Sequence, residues 1–395
     1  MKKATRQQTR AHNTRLILKT IYYGREISRA DIARATGLTR ATVSDAVAQL
    51  INDGLVAEVG LGPSGGGKPP ILLNMAENSR YLIGIELADI EFRGALVNLR
   101  GEIRHRFSLP IDGRNGNDAL DLVYELIDKL VSYADSPILG IGIGTPGLID
   151  AKRGVVRNAV NLGWHDLSLR DLLEERYEFP VYVANDSQVA ALAEFTFGDS
   201  KEISNLIVIK IGRGIGAGIV LNRELYFGEN FGAGELGHVV TVEDGELCRC
   251  GHYGCLETVT SSQAIVRRAQ DIAKNNPCSA LHQFYAKPEE IDIDVVSKGL
   301  MDGDEELHKI VDEAGRYLGM AVANLVNILN IQYIVIAGNA ASFGQALLDP
   351  IRREVNRRSL TALADETNIQ ITSLGPDIVT LGAAALLLTH ELGLP

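Results

Sequence analysis

Three cysteines lie close together in one glycine-rich stretch of the chain. Cys248, Cys250 and Cys255 follow the spacing C-x-C-x₄-C, and two glycines lie between the second cysteine and the third. A segment with so little apolar mass is poorly suited to bury free thiols, but it can wrap one ion, and structural zinc takes four sulfur or nitrogen ligands. The spacing therefore predicts a zinc site, with buried unligated cysteines as the alternative.

The fourth zinc ligand must come from outside this motif. His238 lies ten residues before Cys248, His252 lies inside the loop itself, and Cys278 follows further along the chain. The spacing favours His238 and keeps His252 as its rival, so both histidines are candidates at this point.

A second group of residues could bind hydroxyl groups. Carboxylates accept hydrogen bonds and a carboxamide both donates and accepts them, which suits the neighbouring hydroxyls of a sugar. Such side chains occur directly after an apolar run and on both sides of the cysteines: Asn185, Asp186, Glu235 and Glu257. Taken alone, Asp186 could instead cap a helix, and Glu235 could be an ordinary surface residue.

The elements that would position these side chains alternate along the chain from about residue 80. Apolar runs predict strands and longer periodic segments predict helices. The strands are predicted over 81–86, 94–99, 138–143, 181–184, 206–211, 217–221 and 333–337, and the helices over 118–133, 187–195 and 314–329. This alternation predicts an α/β body that is split into two lobes.

The first 75 residues carry a different pattern. Apolar residues at helical spacing predict helices over 14–23, 29–36 and 40–52, with Gly24 and Gly37 in the turns between them. Two short helices joined by a tight turn are the signature of a helix-turn-helix, whose later helix enters the major groove of DNA.

The candidate DNA contacts lie on that third helix and on a hairpin that follows it. Strands over 55–59 and 71–73 enclose a glycine-rich tip, which is typical of a wing that reaches a minor groove. The alternative is a three-helix cap that only packs on the body. The short polar and cationic candidates are Ser28, Thr39, Arg40, Thr42, Ser44 and, at the wing tip, Lys68.

Charge divides the chain in the same way. Residues 1–70 hold eleven Lys/Arg and five Asp/Glu, a net charge of +6, so the other 325 residues carry −17 of the total of −11. A basic head on an acidic body indicates that the head alone meets a polyanion. No apolar run approaches the roughly 20 residues of a membrane span, and no secretory signal is recognisable. We therefore expect a cytoplasmic protein with reduced thiols.

Taken together, these residues resemble the ROK family, which contains sugar kinases and sugar-responsive repressors. The most specific match is Gly234-Glu235-Leu236-Gly237-His238 followed by Cys248-x-Cys250-Gly251-x-x-Gly254-Cys255-x-Glu257. The resemblance covers nearly the whole chain and implies a winged helix-turn-helix domain at residues 1–75. Residues 76–395 would form a two-lobed, actin-like (ribonuclease H-like) sugar-kinase body that carries a zinc loop at 238–257.

The resemblance also implies roles for individual residues. The zinc ligands would be His238, Cys248, Cys250 and Cys255. The sugar contacts would be Asn161, Asn185, Asp186, Glu235, His238 and Glu257, with Asp186 at the position of the kinase catalytic base. Trp164 lies in the same segment as Asn161, although a lone tryptophan is more often part of a core.

The same resemblance implies that kinase activity has been lost. The family's first phosphate-binding segment reads Asp-x-Gly-Gly-Thr, and the corresponding segment here is Glu86-Leu87-Ala88-Asp89-Ile90. Ala88 and Asp89 replace both glycines, so a carboxylate lies where phosphates should bind. Phosphoryl transfer depends on positioning and charge stabilisation, and we therefore expect no enzymatic activity, although the second segment, 212–218, keeps its glycines.

These observations predict a sugar-responsive repressor of sugar-utilisation genes, with operator DNA and a monosaccharide as its partners and zinc as its cofactor. We expect a homodimer or a dimer of dimers, because one helix-turn-helix reads too few bases. One alternative is an active ATP-dependent sugar kinase with a fused regulatory head. Another is a scaffold that binds a protein such as a sugar-transport component.

Overall fold

Three helices and a small antiparallel sheet form the N-terminal head. The computed structural model describes residues 5–63, 68–199, 203–276, 279–283 and 287–394 of the chain. The head consists of α1 (Arg6–Gly24), α2 (Arg29–Thr36) and α3 (Arg40–Asn52), with β1 (Ile27–Ser28), β2 (Val56–Leu61) and β3 (Ile71–Met75) in the sheet order β1-β3-β2. The predicted helix-turn-helix and wing are therefore confirmed, and most of the wing tip, 64–67, lies outside the described residues.

The apolar stripes of the three helices meet in the core of the head. Ile17 and Ile21 of α1 pack with Val43 and Val47 of α3, and all four are fully buried. Helix α1 begins at Arg6, eight residues before the periodic pattern that predicted it, because its first two turns are polar and exposed on all sides.

The body begins with a five-stranded sheet that forms the first lobe. Its strands are β4 (Tyr81–Leu87), β5 (Glu91–Asn98), β6 (Ile103–Pro110), β7 (Ile138–Thr145) and β11 (Val181–Asn185), in the order β11-β7-β4-β5-β6. Helices α4 (Gly116–Ser132) and α5 (Leu169–Tyr177) accompany this sheet, and a small second sheet contains β8 (Leu148–Asp150), β9 (Val155–Ala159) and β10 (Trp164–Leu167).

The second lobe repeats the same topology. Its strands are β12 (Leu206–Ile211), β13 (Ile215–Leu221), β14 (Glu224–Leu225), β15 (Tyr333–Ala337) and β16 (Asn368–Ile371), in the order β14-β13-β12-β15-β16. In each sheet the first strand lies in the middle, the next two follow it on one side and the last two on the other. The helices of this lobe are α7 (Glu257–Thr260), α8 (Ser262–Asn275), α9 (Ile293–Met301), α10 (Glu305–Leu329), α11 (Gln345–Arg358) and α12 (Thr361–Glu366).

Two helices, α6 (Asp186–Phe197) and α13 (Ile378–Leu387), lie between the two sheets and join the lobes. Their approach is so close that it requires glycine. A Cβ atom on Gly142 of β7 would overlap the carbonyl oxygen of Ala383 in α13, and one on Gly382 would overlap the carbonyl oxygen of Val189 in α6. The α/β fold with two lobes thus agrees with the prediction, and no helix in the described part of the chain is long and apolar enough to span a membrane.

The head contacts both lobes through two consecutive tyrosines at the end of α1. Arg100, in the β5–β6 turn, donates a hydrogen bond of 2.6 Å to the carbonyl oxygen of Tyr22, and its guanidinium lies 4.5 Å from the centre of that ring. Arg223, in the β13–β14 turn, donates to the Tyr23 hydroxyl at 3.0 Å. The end of α1 therefore bridges the two lobes.

We expect Gly142→Ala to destabilise the body, because the added methyl group has no space next to the backbone of α13. Overpacking of this kind typically costs about 1–3 kcal/mol, and thermal denaturation followed by circular dichroism would measure the loss. Gly232→Ala is the matched control, since the nearest atom to its Cβ would be Leu148 Cδ1 at 3.6 Å. Equal melting temperatures for the two variants would contradict the close packing of α13 on β7.

Candidate functional site

Helix α6 follows strand β11 directly, at the cleft between the two lobes. Asn185 is the N-cap of α6, and its side-chain oxygen accepts hydrogen bonds from the backbone N–H groups of Ser187 and Gln188. Its side-chain nitrogen donates to the carbonyl oxygen of Gly147 at 3.0 Å. The capping role therefore belongs to Asn185, which leaves the carboxylate of Asp186 available for other contacts.

Asp186 forms an ion pair with a lysine that the sequence motifs did not single out. Lys210 Nζ lies 2.7 Å from Asp186 Oδ2, and both side chains are largely buried. Burial alone would lower the pKa of Lys210, but Asp186 and Glu86 outweigh this effect and raise it. The lysine is therefore an ammonium cation at neutral pH, and it sits beside the position predicted to bind sugar.

The three motif cysteines and His238 form one compact cluster. One ligand atom from each of His238, Cys248, Cys250 and Cys255 lies within 4.8 Å of all the others, so the group could hold a metal ion. The Sγ atoms of Cys250 and Cys255 are 3.6 Å apart, and Cys248 Sγ lies 3.7 Å from His238 Nδ1. Cys248 and Cys255 are buried while Cys250 is exposed.

The rival histidine lies at the edge of this cluster. His252 Nδ1 approaches Cys250 Sγ at 3.6 Å, but His252 does not belong to the group of mutually close ligand atoms. The geometry thus favours His238 as the fourth ligand. Cys278, the remaining candidate, lies outside the described residues.

The two carboxylates of the predicted sugar site flank His238 on opposite sides. Glu235 Oε2 lies 3.7 Å from His238 Nε2, whereas Glu257 Oε1 lies 4.0 Å from His238 Nδ1 and 3.0 Å from Cys248 Sγ. His238 thus directs Nδ1 toward the cysteines and leaves Nε2 on the side of Glu235. Glu235 also lies within electrostatic range of Asp186.

Asn161 and Trp164 have different surroundings. Asn161 is exposed, and its side-chain oxygen accepts a hydrogen bond of 3.3 Å from Arg249 in the metal-ligand loop. Trp164 is 3% exposed and donates from Nε1 to the carbonyl oxygen of Gly116 at 2.8 Å. The structure therefore places Asn161 beside the loop, and it assigns Trp164 to the core of the first lobe.

Charged residues lie between the β4–β5 hairpin and the glycine-rich β12–β13 turn. In the β4–β5 hairpin, Asp89 lies 3.7 Å from Arg213 of the β12–β13 turn, which belongs to the other lobe. Glu86 is almost fully buried at the end of β4, 3.5 Å from Arg93. Burial raises the pKa of Glu86, and the cations Lys210 and Arg93 lower it in part.

In the head, the start of α3 carries the predicted DNA-contacting side chains. Thr39 is the N-cap of α3, and its hydroxyl accepts from the backbone N–H of Thr42 and lies 2.9 Å from that residue's hydroxyl. Arg40 and Ser44 are exposed, as is Lys68 next to the wing tip.

Ser28 differs from the other five DNA candidates. It is 3% exposed, and its hydroxyl caps α2 by accepting from the backbone N–H of Asp31 while donating to the Asp31 carboxylate at 2.6 Å. The structure therefore gives Ser28 a capping role on α2, and a contact between its side chain and DNA stays a prediction.

Comparison with known proteins adds an independent observation. A model of the ROK family matches residues 82–390, and a model of the winged helix-turn-helix DNA-binding class matches residues 10–57. The chain belongs to the ROK family. A xylose repressor of Caldicellulosiruptor bescii is 33% identical over 387 residues, which cover 97% of each chain.

Other ROK proteins match either the whole chain or the body alone. A solved structure of a ROK family transcriptional regulator, homologous to the E. coli MLC protein, covers 96% of each chain with a TM-score of 0.84 and 29% identity. A glucokinase of Halalkalibacterium halodurans is 34% identical over 319 residues, which cover 80% of this chain and 97% of that enzyme. A solved structure of a ROK family glucokinase from Streptomyces griseus likewise covers 78% of this chain and 98% of that enzyme, with a TM-score of 0.71 and 28% identity.

One residue of the site escaped the sequence analysis although a signal for it was present. Lys210 is the single charged residue in the otherwise apolar strand Leu206–Ile211. A lysine in a buried strand is rare unless it is paired, so its presence could have predicted a carboxylate partner in the cleft.

Proposed function

We propose that this ROK protein is a sugar-responsive transcriptional repressor of sugar-utilisation genes. Residues 1–75 form the domain that binds operator DNA, and residues 76–395 form the body that binds a free monosaccharide. The observation that carries this proposal is that named repressors match the head and the body together, whereas the glucokinase covers a length that fits the body alone.

Sugar recognition in this proposal uses the polar groups gathered at the cleft. Asn161, Asn185, Asp186, Glu235, His238 and Glu257 offer acceptors and donors that converge from several loops. Ligand sites typically present a few such groups at the junction of two lobes. The proximity of Asp186, Glu235 and His238 supports the assignment, since Glu235 is within electrostatic range of both others.

Kinase activity is absent in this proposal because the first phosphate-binding segment has lost its glycines and carries a carboxylate. Kinases of this kind bring backbone N–H groups close to the phosphates through glycine. Here Ala88 and Asp89 replace the two glycines, and one carboxylate oxygen of Asp89 is buried without a hydrogen-bond partner among the described residues. A triphosphate would therefore meet carboxylates at the first hairpin.

The metal in the Cys/His cluster is zinc in this proposal. Zinc–sulfur bonds of about 2.3 Å in a tetrahedral site separate two thiolates by about 3.8 Å, close to the 3.6 Å between Cys250 and Cys255. Bound zinc would fix the orientation of His238 and tie the loop that carries Glu257 to the segment that carries Glu235.

We expect Cys250→Ser to lose the metal and to weaken the response to sugar, because the zinc loop positions Glu257 and His238. Metal analysis of the purified protein should give about one zinc per chain for the parent and much less for the variant. His252→Ala is the matched control and should retain zinc. Full zinc in Cys250→Ser would exclude the site, and zinc lost from His252→Ala but kept in His238→Ala would make His252 the fourth ligand.

Mutations should affect operator binding and the response to sugar separately. We expect Arg40→Ala to weaken operator binding by about 1–3 kcal/mol while sugar binding is unchanged, because Arg40 is exposed at the start of α3. Asp186→Asn should have the reverse effect, with normal operator binding but a weakened response to sugar. Operator titrations with and without D-xylose, D-glucose and N-acetylglucosamine would measure both.

The same experiment tests the proposal against its alternatives. An operator affinity that no sugar changes would remove the sensing role, and sugar-dependent release of ADP at ordinary kinase rates would establish the kinase alternative. An Arg40→Ala titration that overlays the parent's would contradict the role of α3. Co-purification of a sugar-transport protein would support the scaffold alternative.

Coupling between the two sites uses the bridge at the end of α1. A sugar that contacts groups on both lobes draws the lobes together, and Arg100 and Arg223 transmit their relative movement to Tyr22 and Tyr23. A tenfold change in operator affinity requires about 1.4 kcal/mol of difference between the open and closed forms. Operators are commonly palindromic, so the species that binds DNA is a homodimer or a dimer of dimers in this proposal. The protein acts in the cytoplasm in this proposal.

We expect Arg223→Ala to reduce the factor by which sugar changes operator affinity, because Tyr23 then loses its hydrogen bond to the second lobe. The sugar affinity of the isolated protein should change little. Arg353→Ala is the matched control, since Arg353 pairs with Asp312 on the surface of the second lobe, within α10 and α11. An unchanged factor in Arg223→Ala would exclude this contact from the coupling route.

A further inference from the structure

Six charged side chains meet where the β4–β5 hairpin faces the glycine-rich β12–β13 turn. Three are acidic and three are basic, and they come from both lobes and from the start of α6: Glu86, Asp89, Asp186, Arg93, Lys210 and Arg213. A further carboxylate, Glu91, pairs with Arg93 at 2.7 Å, so these six residues do not form a closed, neutral set. In the ROK kinase arrangement this is the space between the two phosphate-binding segments, so its charge determines what can bind there.

Each of the three acids has a basic neighbour, but the distances differ, and Arg93 lies closer to Glu91, at 2.7 Å, than to Glu86. Lys210 and Asp186 are in direct contact at 2.7 Å, whereas Arg93 lies 3.5 Å from Glu86 and Arg213 lies 3.7 Å from Asp89. The two arginines are partly exposed and Lys210 is largely enclosed. Lys210 is therefore the central cation of the cluster.

The position of Lys210 explains how three carboxylates can lie together. Glu86 Oε2 and Asp89 Oδ1 are buried and have no hydrogen-bond partner among the residues that the structure describes. Both carboxylates act electrostatically on Lys210, in addition to Asp186. Without Lys210 the three carboxylates would have only the more distant arginines to offset their mutual repulsion, and Asp186 would lose the ion pair that orients it.

We propose that Lys210 is a built-in cation that holds the Asp186 carboxylate in one orientation as an acceptor for a sugar hydroxyl. Lys210 is a positioning residue, because it acts on the sugar through Asp186. This inference rests on the proposed sugar-binding function.

The geometry supports this role in two ways. Lys210 Nζ also lies next to Gly212, since a Cβ atom built on that glycine would be 3.8 Å from Nζ. The ammonium group is therefore adjacent to the glycine-rich β12–β13 turn. The lysine comes from β12 in the second lobe, while Asp186 begins the helix that separates the lobes. The ion pair therefore holds Asp186 in one orientation in the sugar site before a ligand binds.

The test is a double-mutant cycle on the full chain, with sugar binding measured by calorimetry. D-Xylose, D-glucose and N-acetylglucosamine are the probes, and the variants are Lys210→Met, Asp186→Asn and the two combined. We expect Lys210→Met to weaken binding by about tenfold or more, as charge-assisted hydrogen bonds contribute about 1.5–3 kcal/mol. The combined variant should bind no more weakly than Asp186→Asn alone, because Lys210 acts only through Asp186.

Two further measurements keep the inference open to refutation if Lys210→Met does not fold. Lys210→Gln retains a donor for Asp186 without the charge and should also bind sugar more weakly than the parent. The combined variant leaves no unpaired charge from this pair in the core, and it can be compared directly with Asp186→Asn. Additive losses in the cycle, or parent-like binding by Lys210→Gln, would overturn the role of Lys210.

The failure of this inference can be distinguished from the failure of the proposed function. A parent chain that binds none of the three sugars and keeps a constant operator affinity would contradict the function itself. If Lys210→Met and Lys210→Gln both bind sugar as tightly as the parent chain, only the role of Lys210 is contradicted. Thermal-shift measurements with MgATP provide a separate test: we expect no stabilisation of the parent, and a clear shift would show that the cleft still admits phosphates.

Discussion

The close packing of α6 and α13 between the two sheets is the constraint on which the functional site depends. Glycine at positions such as 142 and 382 lets helix backbones lie directly against a strand and against each other. Because α6 packs between the two sheets, its N-terminus lies in the cleft between the lobes, directly after the carboxyl end of β11. Asn185 satisfies the first backbone N–H groups of the helix, and Asp186 is left in the cleft beside Lys210.

The same central layer connects the cleft to the head. The buried core of the head is continuous with residues of α6 and α13, and the C-terminal Leu392 and Leu394 belong to it as well. In the proposed coupling, a lobe movement reaches the head through Arg100 and Arg223, which contact consecutive tyrosines from opposite lobes. The direction of the response still depends on which arrangement the sugar prefers, because a ligand shifts an equilibrium only by its difference in affinity for the two forms.

Local signals in the sequence were sufficient for much of the site. The cysteine spacing predicted a cluster that the structure does form, and helix caps and apolar periodicity gave α2 and α3 with the boundaries that are observed. For Ser28, the sequence alone does not distinguish a serine that caps a helix from a serine that contacts DNA. Only the fold shows that its hydroxyl is buried against Asp31.

Contacts between residues far apart in the chain could not be predicted from local sequence signals. The two sheets have the same strand order, yet β14 has two residues where β6 has eight, so the repeat has no clear sequence period. Whether His238 or His252 completes the cluster depends on a loop conformation that spacing alone leaves open. Lys210 lies 24 residues from Asp186 along the chain, and only the arrangement of β12 beside α6 brings the two charges together.

The distinction between a sensor and a kinase therefore cannot be made from the fold, the Cys/His cluster or the hydroxyl-binding residues, since a glucokinase matches the body as well as a repressor does. It depends on electrostatics at the two hairpins. A phosphoryl group carries negative charge that a kinase must neutralise with backbone N–H groups and a metal ion. Of the three acids here, only Asp89 has no counterpart in the kinase pattern, because it replaces a glycine of the first phosphate-binding segment, and its nearest cation, Arg213, lies 3.7 Å away. A carboxylate at this position repels a triphosphate, whereas an uncharged sugar needs only oriented donors and acceptors. This replacement supports the proposal that the site binds the sugar and does not transfer a phosphoryl group to it.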